Sequence, residues 1–401
     1  MLKFTSKVDR NGRPFAIRTT EKNVTKFSGL PFLMDRVRQA GVLSDVARIL
    51  DSYVPRGLRC LYSTTDLIEQ IMAGIFVKAP DLNDMKWLSN DHAFRIALSN
   101  PCCASPATMC RFFRSFSKDC QSERNEYLTE NGLDLSSLAK TDPHRISTEV
   151  FLKLRDFTIG RAIDTVTKYY PEGPILVDVD STPIEVFGSN GEIAYDGCYD
   201  CKGYLPILCL INGVPAFVQN APGAANGAKL FSFHVQELLQ RLKEAFPKRL
   251  IVIRADTGFS APAIIDAVEK EDCKYLIGCN QAQKQMCAAL YEHMVDRLVI
   301  APDTPLTVPK AIAEALRLDN LFIKFKEPQP RDQFNTSCVD GKFRCTGFVP
   351  NYKAKSWATH RTIVYRFEYD PKRKEIDVRF IQTNLTKEEA IDMGTAINSK
   401  F

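Results

Sequence analysis

Two short segments put aspartates where a metal ion and a phosphodiester could meet. They are Val177-Asp178-Val179-Asp180-Ser181-Thr182 and Ile253-Arg254-Ala255-Asp256-Thr257-Gly258-Phe259. In each, a short apolar run reads as a buried strand with acids at its end. Side chains alternate along a strand, so Asp178 and Asp180 share one face and Val179 takes the other. Gly258 permits a sharp turn directly after Asp256. Carboxylates converging from the ends of adjacent strands are hard oxygen donors suited to Mg²⁺. Two such ions about 4 Å apart can activate an attacking oxygen and stabilise the leaving oxygen of a phosphodiester. Strand-end aspartates also cap helices and solvate loops, and spacing alone leaves that reading open.

The elements that must position these acids follow from periodicity and turn signals. Pro174–Asp180 predicts a strand, and Leu205–Leu210 and Val214–Gln219 flank Asn212-Gly213, a strong hairpin signal. Lys229–Phe246 predicts an amphipathic helix stopped at Pro247, Arg249–Ala255 a strand, Pro262–Lys270 a helix and Lys274–Gly278 a short strand. The order strand, hairpin, helix, strand, helix, strand predicts a mixed α/β layer architecture. From residue 282 to 375, β-like runs such as Leu321–Phe325 and Thr362–Phe367 alternate with polar loops and prolines, which reads as a β-rich insertion. Val378–Thr383 returns to the main sheet, and a last helix begins at Thr386 with Glu388 and Glu389 in its first turn.

Upstream the texture is helical. Ser63-Thr64-Thr65-Asp66 fits a capping box, followed by Leu67, Ile68, Ile71, Met72, Ile75 and Phe76 at helical spacing. A second helical stretch covers Asp84–Ala97, with Met85, Leu88, Phe94 and Ala97 apolar. Ser105-Pro106 then reads as an N-cap with proline at the first helical position. That helix carries Met109, Phe112, Phe113 and Phe116 on one face, with Arg111, Arg114 and Lys118 elsewhere.

The 401 residues suffice for more than one domain and a large core. A composition of 45% hydrophobic and 25% charged residues is that of a globular protein. No segment approaches the ~20 apolar residues of a membrane span, and the N-terminus has no apolar leader region. A cytoplasmic location follows by default. Thirteen scattered cysteines point to reduced thiols. A net charge of +5 is compatible with nucleic-acid binding without requiring it.

The segment from Asp178 to Thr182, followed by Phe187-Gly188 and Gly203-Tyr204-Leu205-Pro206, resembles the first catalytic segment of bacterial insertion-sequence transposases of the DDE type. More narrowly it is similar to a group within the IS4-like class that has a long helical N-terminal region. Arg254 to Phe259 resembles the group's second catalytic segment. Ala79 to Asp84 with Leu88, Asp91 and Phe94, and Pro106 to Phe112, match its N-terminal pattern. Trp357 to Arg361 and Arg379 to Leu385 match the flanks of its β insertion, so the resemblance covers nearly the whole chain. It implies an RNase H-like mixed-sheet core, an N-terminal all-α DNA-binding region over residues 1–165, and a core beginning over 166–281. It further implies a β-rich insertion over 282–376 and a return strand and helix start over 377–401. Carried over, Asp180 and Asp256 are the catalytic, metal-binding acids for Mg²⁺ or Mn²⁺, with Asp178 as a further metal neighbour. The partners implied are double-stranded DNA, namely the element's terminal inverted repeats and its target, and further copies of the chain, with no membrane.

The group's third acid is a glutamate on a helix after the insertion. Sixteen residues follow Leu385 without that signature, and Glu388 and Glu389 stand early in the helix. The expectation is a truncated core whose strand transfer is in doubt, or a non-catalytic relic that still binds DNA. Asp178-x-Asp180-x-Thr182 also satisfies the signature of haloacid dehalogenase-type phosphatases, with Asp178 as nucleophile and Asp180 as general acid. Position 260, where that family needs another acid, is serine. Arg111, Arg114, Lys118, Lys202 and Arg254 are the candidate DNA contacts, although the first three also read as the solvated face of a helix. Cys198-x-x-Cys201 lacks a second pair for zinc, and Lys372-Arg373-Lys374 reads as a hairpin tip.

Overall fold

The computed structural model describes residues 5–8, 14–16, 27–116 apart from 58, 59, 80 and 101, and 148–279 apart from 188–192, 198, 199, 222 and 224. It further describes 298–300, 323–325, 335–339, 342–352, 359–370, 375–386 and 389. The chain divides into two units, residues 1–157 with 190–192, and 158–189 with 193–401.

In the first unit, a hairpin of β1 (Thr5–Val8) and β2 (Pro14–Ala16) precedes the helices. These span Leu30–Gln39, Val42–Tyr53, Thr64–Phe76, Met85–Leu88, His92–Ala97 and Pro106–Ser115. Local sequence sets their starts. The Ser63 hydroxyl accepts from the Asp66 N–H, and the Asp66 carboxylate accepts from the Ser63 N–H, closing the expected capping box. Ser105 caps the helix that opens with Pro106. The helical stretch Asp84–Ala97 holds two helices, because the Asp91 carboxylate takes the Phe94 N–H and starts a new ladder.

Met85, Leu88, Phe94 and Ala97 are buried together with Leu30 and Met34. Leu50, Leu67, Met109, Phe112 and Phe116 form a second cluster. The helix Thr64–Phe76 contributes to both, so its buried arc is wider than one stripe and takes in Glu69 and Gln70. Ile75, Phe76 and Phe113, expected inward from their spacing, are exposed. Glu69 accepts from Arg38 Nε at 3.0 Å, from the Ser99 N–H at 2.8 Å and from the Ser99 hydroxyl at 2.9 Å. Replacing Glu69 by leucine leaves the Arg38 guanidinium, 25% exposed, without that carboxylate. We expect a loss of about 3 kcal/mol, read as an earlier first transition in urea unfolding of the full chain.

The second unit is built on a sheet. Its strands are β3 (Ile175–Ser181), β4 (Ile184–Glu185), β5 (Ala194–Asp196), β6 (Cys201–Tyr204), β7 (Ile207–Ile211) and β8 (Val214–Gln219). Then come β9 (Ile251–Ala255), β10 (Lys274–Gly278), β11 (Leu298–Ile300), β12 (Ile323–Phe325) and β13 (Asn335–Val339). The last are β14 (Lys342–Tyr352), β15 (Arg361–Asp370) and β16 (Glu375–Thr383). The main sheet has the order β13-β14-β15-β16-β10-β9-β3-β7-β8. β9 runs parallel to both β3 and β10, whereas β7 is antiparallel to β3 and to β8. The run β8-β7-β3-β9-β10 is an RNase H-like mixed sheet. β16 pairs antiparallel with β10, so β13 to β16 continue this sheet, whereas β11 and β12 pair with each other in a separate two-stranded sheet.

The hairpin between β7 and β8 turns on Asn212 and Gly213, whose φ angles of 49° and 80° are the left-handed pair that a two-residue turn demands. On one face of the sheet Val177, Val179, Ile253, Ala255 and Tyr275 pack against the helices Gly227–Ala245 and Pro262–Lys270. The first of these helices buries Phe231, Val235, Leu238, Leu239 and Leu242, each contributing about 1.5–3 kcal/mol of apolar burial. On the opposite face Leu176, Val252 and Leu276 meet Val364, Ile381 and Leu385.

Candidate active site

β3 and β9 are in register, with Asp178 opposite Arg254 and Val179 opposite Ala255. One step further, Asp180 ends its run in β3 and Asp256 follows β9, at the same edge of neighbouring parallel strands about 4.8 Å apart. Both aspartates are exposed. Alternation places them on the face of Leu176 and Val252, away from the two helices. Asp180 Oδ1 accepts from the Ser181 N–H at 2.9 Å. Asp256 Oδ1 accepts from the Gly258 N–H at 3.0 Å and caps the short turn Thr257–Phe259, which fixes the direction of its carboxylate. The capping role that spacing left open is therefore real for Asp256 and coexists with its place beside Asp180.

Asp178 has a different environment. Arg254 donates from Nε to Oδ1 at 2.6 Å and from Nη2 to Oδ2 at 2.7 Å, a two-pronged pair across β3 and β9. Both side chains are largely buried, 15% exposed for Arg254 and 28% for Asp178. Asp178, expected beside the metal, and Arg254, expected at DNA, are paired with each other across the two strands. A carboxylate held on both oxygens is also badly placed to act as a nucleophile.

The remaining candidates are distributed over the chain. Lys202 is exposed on β6, the middle strand of the small sheet β4-β6-β5 that follows Asp180. Gly203 in that strand passes so close to β4 that an added Cβ would lie 1.9 Å from the Ile184 carbonyl oxygen. This is the physical reason for glycine in the Gly203-Tyr204-Leu205-Pro206 motif. Arg111 and Arg114 are exposed on the helix Pro106–Ser115 of the first unit. Lys118, Cys198, Gly188, Trp357, Lys372, Arg373, Lys374 and Glu388 lie outside the described residues. Cys209, adjacent to this region, is fully buried, and burial followed by the Asp178 charge pushes its thiol far up, so it is no nucleophile.

Glu389 belongs to the other end of β10. It accepts from the Thr386 N–H at 2.8 Å and pairs with Lys274 Nζ at 3.1 Å, where β10 begins. Partial burial alone would raise its pKa, but the Thr386 N–H and the Lys274 ammonium bring it below the ordinary carboxylate value. The five residues of β10 run from Lys274 to Gly278, the position beside Asp256, a span of about 13 Å. Glu389 is engaged by Thr386 and Lys274 and does not join the two aspartates.

Sequence reading missed the roles of Gly278, which seats the Asp256 turn, and of Asn384, at the far end of β10. A Cβ on Gly278 would come within 2.7 Å of the Thr257 nitrogen and hydroxyl, so glycine lets β10 approach the turn. Asn384 donates to the Cys273 carbonyl at 2.9 Å and accepts from the Tyr275 N–H at 3.1 Å, continuing the ladder beyond β16. Among the described residues, no group of three or more His, Cys, Asp or Glu is gathered to hold a metal ion. Mg²⁺ commonly takes one or two carboxylates from a protein and keeps several waters. Asp180 and Asp256, hard donors exposed side by side, fit that demand.

An RNase H-like sheet with an aspartate at the same end of each of its two central parallel strands defines a fold and site class. Within it, the chain belongs to the family described as transposase DDE domain group 1, whose sequence model matches residues 9–397. Among solved structures, the chain is similar to the catalytic domain of Mos1 mariner transposase. The identity is 13%, covering 38% of this chain and 72% of that one, with a TM-score of 0.20. The piggyBac transposase, in a synaptic complex with hairpin DNA, is 11% identical over 70% of this chain and 52% of that one, with a TM-score of 0.27. The Mos1 catalytic domain with raltegravir and Mg is 14% identical over 38% and 74% of the two chains, with a TM-score of 0.21. Comparison with curated proteins gave no match. Among the described residues, no helix is long and apolar enough to cross a membrane.

Proposed function

We propose that this protein is a transposase that cuts DNA at the ends of an insertion sequence and joins them to a target, using Mg²⁺ or Mn²⁺ held by Asp180 and Asp256. The observation that carries this reading is the place of these two exposed aspartates one step beyond the paired ends of adjacent parallel strands, in a chain of this family. A bound ion would supply activation of the attacking oxygen and stabilisation of the leaving oxygen. Asp180 and Asp256 would hold the ion in place through carboxylates fixed by the Ser181 and Gly258 N–H groups. The Arg254–Asp178 pair ties β3 to β9 directly behind them and adds no net charge to the site. Family membership and the engagement of Asp178 by Arg254 favour this over the phosphatase reading.

The helical region over residues 1–165 is assigned to DNA binding, with Arg111 and Arg114 contacting phosphates. Lys202, next to the acids along the chain, is assigned to the strand being cut. Further copies of the chain, acting together on paired ends, complete the proposal.

The test uses the full chain and a supercoiled plasmid carrying its gene with the flanking DNA. Strand breaks at the flanks in Mg²⁺ or Mn²⁺, abolished by EDTA, are the expected result. Breaks that persist in EDTA would refute the metal-dependent reading. Retention of the flanking fragments in a gel shift without any breaks would replace the reading by DNA binding alone.

A further inference from the structure

The Asp256 turn is braced from a direction that none of the motifs suggested. Gln382, in β16, is fully buried. Its Oε1 accepts from Arg361 Nη1 at 2.6 Å, and its Nε2 donates to the hydroxyl oxygen of Ser260. A guanidinium has only donors, so Arg361 fixes which end of the amide is oxygen and thereby points the NH₂ at Ser260. Ser260 closes the turn that Asp256 opens: its N–H bonds to the Thr257 carbonyl, and the Phe259 N–H bonds to the Asp256 carbonyl. Arg361 stands at the start of β15 and Gln382 near the end of β16, the two strands that join the β-rich stretch to the core.

We propose that Gln382 is a positioning residue for Asp256, holding the turn through Ser260 in a geometry set by Arg361. This rests on the reading of Asp256 as a metal-holding acid. Gly278 closes the turn from the β10 side, so the segment from Asp256 to Ser260 is clamped between β10 and β16. A shift of the β15–β16 pair would therefore reach the Asp256 carboxylate through one side chain.

The experiment measures Mn²⁺ affinity by electron paramagnetic resonance, DNA cleavage kinetics and thermal unfolding on the full chain. Ser260→Ala removes the Gln382 contact and leaves Gln382 with Arg361. It should weaken Mn²⁺ binding roughly fivefold and lower kcat by a similar factor with KM for DNA unchanged; the buried Gln382 NH₂ left without its acceptor lowers the Tm, by less than Gln382→Met does. Gln382→Glu should retain both, because a carboxylate can accept from Arg361 and from the Ser260 hydroxyl. Gln382→Met should reproduce Ser260→Ala with a larger loss of Tm. Unchanged Mn²⁺ affinity and kcat in Ser260→Ala would overturn the proposal. So would a loss that simply follows Tm across the three variants. Asp256→Asn is measured alongside: if it too leaves Mn²⁺ binding and cleavage intact, the fault lies in the assignment of Asp256 itself.

Discussion

Asp180→Asn and Asp256→Asn should each slow metal-dependent DNA cleavage by about a thousandfold or more, which corresponds to roughly 4 kcal/mol of lost transition-state stabilisation. The size of the effect comes from charge alone. Asparagine keeps the shape of aspartate and an oxygen that can still accept from the Ser181 or Gly258 N–H. Both positions are exposed, so neither substitution buries an unpaired group, and the unfolding midpoint should stay close to that of the parent. Gel-shift affinity for DNA without divalent ions should be retained or slightly raised, since each variant removes one negative charge near the backbone. The checks are single-turnover cleavage, Mn²⁺ titration and a gel shift on the same preparations. Cleavage within tenfold of the parent in either variant would remove that aspartate from the chemistry, whatever its position in the sheet.

How much of this was legible in the sequence depended on whether a feature was local. The hairpin at Asn212-Gly213, the capping box at Ser63 and the proline start at Pro106 were read directly, because each is decided by a few adjacent residues. Pro262–Lys270 and Lys274–Gly278 were bounded as found, since turn and proline signals flank them. The places of Asp180 and Asp256 at strand ends were also local. Their being neighbours was expected from their chemistry and the resemblance and not from local signals, because the pairing of β3 with β9 is a contact between segments some 75 residues apart. The same non-locality hid the partner of Asp178 and the Gln382–Ser260 contact, which spans 122 residues. Ile75 and Phe76 were misplaced for a related reason. A helix packed by two clusters has no single stripe, so hydrophobic spacing gave the helix without giving its buried arc.

The Arg254–Asp178 pair separates a structural role from a catalytic one. Arg254→Met should cost about 3 kcal/mol, because it strands a largely buried carboxylate beside Asp180 and Asp256. Adding Asp178→Leu removes that carboxylate and fills the space with apolar groups. The double variant should then recover to within about 1 kcal/mol of the parent. Urea unfolding of the parent, the two single variants and the double variant closes the cycle; a double variant no more stable than Arg254→Met alone would mean the pair is not the unit that matters. Cleavage by the double variant then carries the mechanistic information. If the pair serves only to hold β3 against β9, restored stability brings restored cleavage, since Asp180 and Asp256 keep their strand ends. Restored stability without cleavage would mean that one member of the pair also serves the chemistry, Arg254 by meeting the DNA or Asp178 by meeting the metal, and that their grip on each other is a resting arrangement that changes when the scissile phosphate arrives.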